Sequence, residues 1–167
     1  MSATPPSWSA LHASAVLVCE WGVLLRGPSG AGKSALALAL LATAGNVGTF
    51  SALVADDRVY ARVCAGRLLA RGAPDFAGQI ERRGRGVIGV KSEPEAVIRL
   101  VADLAGPAGP KPPRLPDEAD QTSEILGLRL PRLALDPALG PLDQAAVVLE
   151  ALMNRVWDQS LRVTNFA

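Results

Sequence analysis

The sequence predicts an α/β fold of the α+β kind: a P-loop-containing, antiparallel-rich sheet core with flanking helices. Three observations predict it. Apolar runs at 14–20 and 23–26 meet through Trp21-Gly22, and runs at 59–64 and 67–70 meet through Ala65-Gly66. Paired apolar runs across a short glycine-bearing turn mark β-hairpins. Between the hairpins a glycine-rich loop opens onto Ala35-Leu36-Ala37-Leu38-Ala39-Leu40-Leu41, built from strong helix formers. Near the C-terminal end, residues 142–161 place Ala145, Val148, Leu149, Leu152, Val156 and Trp157 at three- and four-residue spacings, which makes an amphipathic helix. Successive hairpins with a single early helix depart from the strand–helix alternation that builds a parallel sheet.

Composition narrows the classes. At 167 residues with 49% hydrophobic and 20% charged side chains, the chain reads as one globular domain over residues 1–167. Lys+Arg number 17 against 16 Asp+Glu, so no basic field speaks for nucleic acid and no polybasic tract for a membrane surface. Cys19 and Cys64 lack metal-ligand spacing and sit in apolar runs, so both are expected as buried thiols in a reducing compartment. The first residues have no positive region followed by a long apolar core, and the apolar run 35–42 is too short to span a bilayer. A cytoplasmic protein is the expectation.

The chemistry centres on Gly27-Pro28-Ser29-Gly30-Ala31-Gly32-Lys33-Ser34, a full match to the phosphate-binding pattern G-x-x-x-x-G-K-[ST]. Its glycines let backbone N–H groups turn toward phosphate oxygens. Lys33 can reach the β- and γ-phosphates, and the Ser34 hydroxyl can ligate Mg²⁺. A strand before the loop and a helix after it bring the positive helix end against the phosphates. His12, the one histidine, opens the first strand.

Downstream, the loop helix is expected to run to about residue 44 and stop at Gly45-Asn46. Residues 50–55 read as a buried strand ending in Asp56-Asp57. An apolar strand with a terminal acid, downstream of a phosphate loop, has the form of the motif whose Asp holds the Mg²⁺ shell. The second acid is placed to accept a proton. Neighbouring strand residues point to opposite faces, so the two acids share a site only if the strand has ended. Residues 72–78 read as a loop. The stretch 79–90, with Glu81, Arg82, Arg83 and Arg85 among glycines, reads as neither helix nor clean strand; its charges suit phosphate and Mg²⁺. Residues 96–104 fit either a strand or a short helix, 106–116 an extended Pro/Gly connection, and 126–135 a strand that Pro131 bends or places at an edge.

Taken together, His12, the phosphate loop, Leu53-Val54-Ala55-Asp56-Asp57-Arg58-Val59 and Ile80-Glu81-Arg82-Arg83-Gly84-Arg85-Gly86-Val87-Ile88 resemble the catalytic domain of HPr kinase/phosphorylase. That bacterial family acts on a serine of the phosphocarrier HPr, within regulation of the phosphotransferase system. The last stretch is similar to the family's glutamate-x-arginine-glycine-x-glycine signature. The resemblance implies a core related to phosphoenolpyruvate carboxykinase, ATP and Mg²⁺ as cofactors, HPr or an HPr-like carrier as partner, and assembly as a homo-oligomer. It implies that Lys33 neutralises phosphate, that Ser34, Asp56 and Glu81 hold Mg²⁺, and that His12 and Arg83 belong to the active site. One of Asp56 and Asp57 would be the base that deprotonates the serine, with Asp57 favoured for that role and Asp56 for the metal shell. The same acid would return the proton when inorganic phosphate attacks phosphoserine. The expected form is short, without the family's usual N-terminal domain. Its later Pro/Gly-rich segment is reduced to residues 130–137, where Arg132 is the counterpart of the family's arginine.

Two other readings fit the phosphate loop: a kinase for a small molecule, and a nucleotide-binding regulatory module without turnover. The first would be favoured by a parallel strand–helix pattern, the second by loss of both Asp56 and Asp57.

Overall fold

The computed structural model describes residues 7–163, with side chains as far as residue 154. The segment 1–6 and the side chains of Val156 and Trp157 lie outside that description. Along the chain run β1 (Ser9–Val18), β2 (Trp21–Arg26), α1 (Lys33–Asn46), β3 (Ser51–Ala55), β4 (Arg58–Cys64) and β5 (Arg67–Arg71). A 3₁₀ turn (Pro74–Phe76) follows, then β6 (Gln79–Arg82), β7 (Gly86–Gly89), β8 (Glu95–Leu104), β9 (Thr122–Ile125), β10 (Leu128–Leu135) and α2 (Pro141–Val163). β6 and β7 form a separate two-stranded sheet, and the other eight strands form one sheet.

That large sheet closes on itself. β2 pairs with β1, β1 with β4, β4 with β5 and β5 with β8, while β8 also pairs with β2. β8 does both jobs by dividing its length: Glu95 to Ile98 match β5 antiparallel, and Ile98 to Asp103 match β2 in parallel. Five strands enclose less space than the eight of a side-chain-filled barrel, so the interior has room mainly for small groups. Ala13, Ala15, Ala61, Ala70 and Ala96 occupy it with Leu24, Leu68 and Ile98, all buried. On the outer face α1 and α2 pack together over Val16, Val23, Leu25, Leu53, Leu100 and Ala102, contributing Leu36, Leu40, Ala145, Val148 and Leu152. β2 is therefore covered on both faces, which explains its unbroken apolar run Val23-Leu24-Leu25.

β10 extends the sheet beyond β8, parallel to it, and β9 pairs antiparallel with β10. Pro131 pairs with β9 and the β8 ladder begins at Arg132, so proline sits where β10 changes partners. The parallel strands β2, β8 and β10 are tied together by charge. Asp103 accepts from Arg26 Nε (2.8 Å) and Nη2 (2.9 Å) and from Arg132 Nε, and Arg26 Nη2 also donates to Ser123 Oγ at 2.9 Å. Burial alone would raise the Asp103 pKa. The hydrogen bonds and charges of Arg26 and Arg132 outweigh it and hold the carboxyl below the usual carboxylate range.

Several sequence expectations change here. Cys19 and Cys64 are exposed free thiols, because both fall at hairpin ends, Cys19 in the β1–β2 turn with φ 52°. Residues 79–90 contain the β6–β7 hairpin, whose turn the glycine Gly84 (φ 83°) makes possible. Residues 96–104 are strand throughout, α1 runs two residues past Ala44, and β1 begins at Ser9, so His12 lies inside it. β9 was not expected at all.

Two stability outcomes follow. Ala61→Leu should force a large side chain into the five-stranded interior, costing about 2–3 kcal/mol and lowering the melting temperature by roughly 4–12 °C; an unchanged melt would refute the crowded interior. Asp103→Asn should cost about 2–4 kcal/mol at neutral pH. Because the folded pKa of Asp103 is depressed, its contribution is full above the unfolded carboxylate pKa and is lost as pH falls through the folded value. Urea titrations of wild type and variant should therefore differ at neutral pH and converge in acid; a gap that stays constant in acid would count against the triad.

Candidate active site

Three strands, β1, β2 and β3, deliver the site. Side chains alternate along β1, and Val16 and Val18 belong to the core under the helices, so Ser14 and His12 face the same way, toward the start of α1. β2 feeds the phosphate loop, and α1 starts at Lys33 with Ser34 second. Gly27 could not be another residue, since a Cβ there would stand 2.4 Å from the Leu104 carbonyl oxygen. Gly32, at φ 97°, makes the left-handed turn into α1, where Leu36 N–H donates to its carbonyl at 2.9 Å.

Lys33 is 7% exposed, yet its ammonium is fully engaged. Nζ donates to the carbonyls of Gly27 (2.8 Å) and Pro28 (3.0 Å) and lies 3.1 Å from His12 Nε2. Burial lowers its pKa, and the negative charges of Asp57 and then Asp56 pull the other way. An ammonium can only donate, so His12 Nε2 is the acceptor and the ring proton is assigned to Nδ1. Nδ1 stands 3.3 Å from Asp57 Oδ1. Lys33, His12 and Asp57 thus form one line of contacts.

The second acid joins a different set. Asp56 Oδ1 accepts from Ser14 Oγ at 2.6 Å, and the Ser34 hydroxyl lies 2.9 Å from both carboxylate oxygens. The Glu81 backbone N–H points at Oδ2 from 3.4 Å. The strand has ended: β3 stops at Ala55, and Asp57 takes a left-handed φ of 62°. That turn lets neighbouring acids serve the same site, Asp56 beside Ser34 and Asp57 beside His12. Hydroxyl and carboxylate oxygens are hard donors of the kind Mg²⁺ takes, so Ser34 and Asp56 fit that ion. Among the described residues no three His, Cys, Asp or Glu side chains gather into a cage.

Of the remaining expected residues, Glu81 reaches this centre. Ile80, buried under the helices, pins the β6–β7 hairpin so that Glu81 follows beside Asp56. The Glu81 side chain and Arg83 are exposed, with Arg82 and Arg85 flanking the same turn. Arg132 is not gathered with them: its Nε bonds Asp103 and its Nη1 donates to the Asp120 carbonyl at 2.9 Å. Sequence reasoning missed Ser14. The signal available was its place two residues after His12, on the same strand face.

This geometry has relatives. Over residues 6–162 the chain matches the family described as HPr Serine kinase C-terminal domain. HPr kinase/phosphorylase of Azoarcus sp. (strain BH72) is 35% identical over 152 residues, covering 85% of this chain and 46% of that protein. The protein of the same name from Caldicellulosiruptor bescii is 34% identical over 152 residues, covering 86% and 46%. The chain thus spans less than half the length of these curated relatives. The structure of the Hpr(Ser) kinase/phosphatase from Coxiella burnetii superposes with a TM-score of 0.73 at 24% identity, covering 95% of this chain and 99% of that one. That likeness bears out the mixed α/β fold with its antiparallel-rich sheet. No helix among the described residues is long and apolar enough to cross a membrane. With the match running nearly from end to end, the chain belongs to the HPr Serine kinase C-terminal domain family.

Proposed function

We propose that this chain is an ATP- and Mg²⁺-dependent protein-serine kinase of HPr or an HPr-like phosphocarrier, working in the cytoplasm as one catalytic unit and assembling as a homo-oligomer. The observation that carries the proposal is the division of the two adjacent acids: Asp56 with the loop hydroxyl Ser34, Asp57 with His12. In this reading one acid serves a metal shell and its neighbour takes a proton, which is the pairing that phosphoryl transfer to a hydroxyl needs. Named HPr kinase/phosphorylases among the relatives support the substrate.

In this reading the loop N–H groups and Lys33 hold the nucleotide's phosphates, Lys33 exchanging the carbonyls of Gly27 and Pro28 for phosphate oxygens. Ser34, Asp56 and Glu81 would hold Mg²⁺, which would supply charge neutralisation for the transferring group. Asp57 accepts the proton of the substrate serine as that oxygen attacks the γ-phosphorus and the bond to the β-phosphate oxygen breaks. His12 donates from Nδ1 and keeps the Asp57 carboxylate aimed. Arg83 reaches phosphate from the hairpin turn. Arg132 acts from behind, holding the strand ends through Asp103. Run backwards, the same acid returns its proton to the serine while inorganic phosphate takes the phosphoryl group. Most of the work is positioning and charge neutralisation.

Labelled ATP should transfer phosphate to HPr from the same organism and not to HPr lacking its target serine, and added inorganic phosphate should then reverse the transfer. ATP binding without transfer would overturn the proposal in favour of a different substrate or a regulatory module. Lys33→Ala should both weaken nucleotide binding and abolish transfer. Asp57→Asn should leave binding within a few-fold and lower turnover by about 10²–10⁴. Equal losses of binding in the two variants would break the assigned division of labour.

A further inference from the structure

Asp56 is aimed by more than the phosphate loop. Ser14 lies in β1 and is fully buried, and its hydroxyl donates to Asp56 Oδ1 at 2.6 Å, shorter than either approach of Ser34. β1 pairs His12 with Arg58 and Ala15 with Ala55, so the same register sets Ser14 across from Asp56, at the point where the facing strand turns out of the ladder. A buried strand position beneath a helix is one an apolar side chain fills without cost. A hydroxyl there has one use, and it is aimed at the carboxylate.

The two serines differ in what they can give up. Ser34 sits on the loop, where its single proton serves both Asp56 oxygens and its lone pairs are free for a cation. Its one proton reaches one Asp56 oxygen at a time, so it does not fix which oxygen is left for the cation. Ser14 is enclosed in the sheet, and among the described residues Asp56 is the one partner of its hydroxyl. We propose that Ser14 is a positioning residue: it holds Asp56 Oδ1 so that Oδ2 is presented to the divalent cation. This rests on the reading of Asp56 as a metal-shell ligand. Groups that orient a ligand in this way typically change metal affinity about 10–100-fold when removed.

Calorimetric titration of ADP at stepped Mg²⁺ concentrations tests it without turnover. Ser14→Ala should raise the Mg²⁺ concentration for half-maximal tightening about ten-fold or more. It should leave metal-free ADP binding unchanged, and Ser14→Thr, which keeps the hydroxyl, should stay near wild type. Should Ser14→Ala fail to fold, Ser14→Cys keeps the size with a weak donor and reads the same shift. Wild-type Mg²⁺ dependence in the variant, or an equal loss of metal-free binding, would overturn the inference. Asp56→Asn separates the layers. If it shifts the Mg²⁺ dependence and Ser14→Ala does not, only the role of Ser14 fails. If neither shifts it, the metal-shell reading fails as well.

Discussion

One edge of β1 pairs with β2, and the other carries two partners along its length. Its first part pairs with β4, its last part with β3, and the residues of the facing chain between those ladders are Asp56 and Asp57. A chain that leaves a ladder for two residues must satisfy what it exposes there, and here it exposes two carboxylates at the mouth of the phosphate loop. The remainder of the site is arranged around that interruption. The left-handed turn at Asp57 separates the acids' tasks, Ser14 and Ser34 take one carboxylate, and His12 takes the other. Without the break in pairing, the two side chains would point to opposite faces of the sheet and could not share one reaction.

Lys33 shows how burial and charge are balanced at this mouth. Desolvation disfavours an ammonium, and a cation this enclosed persists only with acceptors on every side. Two loop carbonyls and an imidazole nitrogen supply them, while the nearby acids supply opposing charge. The same contacts set the histidine tautomer and so determine which ring nitrogen faces Asp57. Lys33, His12 and Asp57 are linked through a few ångströms of side chain, so a change at any one is felt by its neighbours.

Support for the loop comes from behind. β2 can hand Gly27 to the loop only because β8 closes the ring and lies alongside it, near enough that the Leu104 carbonyl excludes any Cβ at Gly27. The Arg26–Asp103–Arg132 triad fastens the same strand ends one residue before the loop begins. A narrow interior of alanines keeps the ring tight. Rigidity of this kind holds short polar side chains at hydrogen-bond distance.

By itself the sequence determined what is local: the phosphate loop and its helix, both hairpins, the final amphipathic helix, and the residue types that phosphoryl transfer requires. Each rests on turn chemistry, periodicity or a fixed spacing, which neighbouring residues settle among themselves. What only the tertiary structure decided depends on partners distant in the chain. Alternating apolar residues cannot announce that β8 will pair with β5 and β2 and close a ring. Nor can the serine at position 14 announce its carboxylate 42 positions away. Nor can Arg132 announce that Asp103, supplied by another strand, will take its guanidinium. Cys19 and Cys64 read as buried from their apolar neighbours, but burial is a property of the packed sheet, and at hairpin ends the sheet has run out.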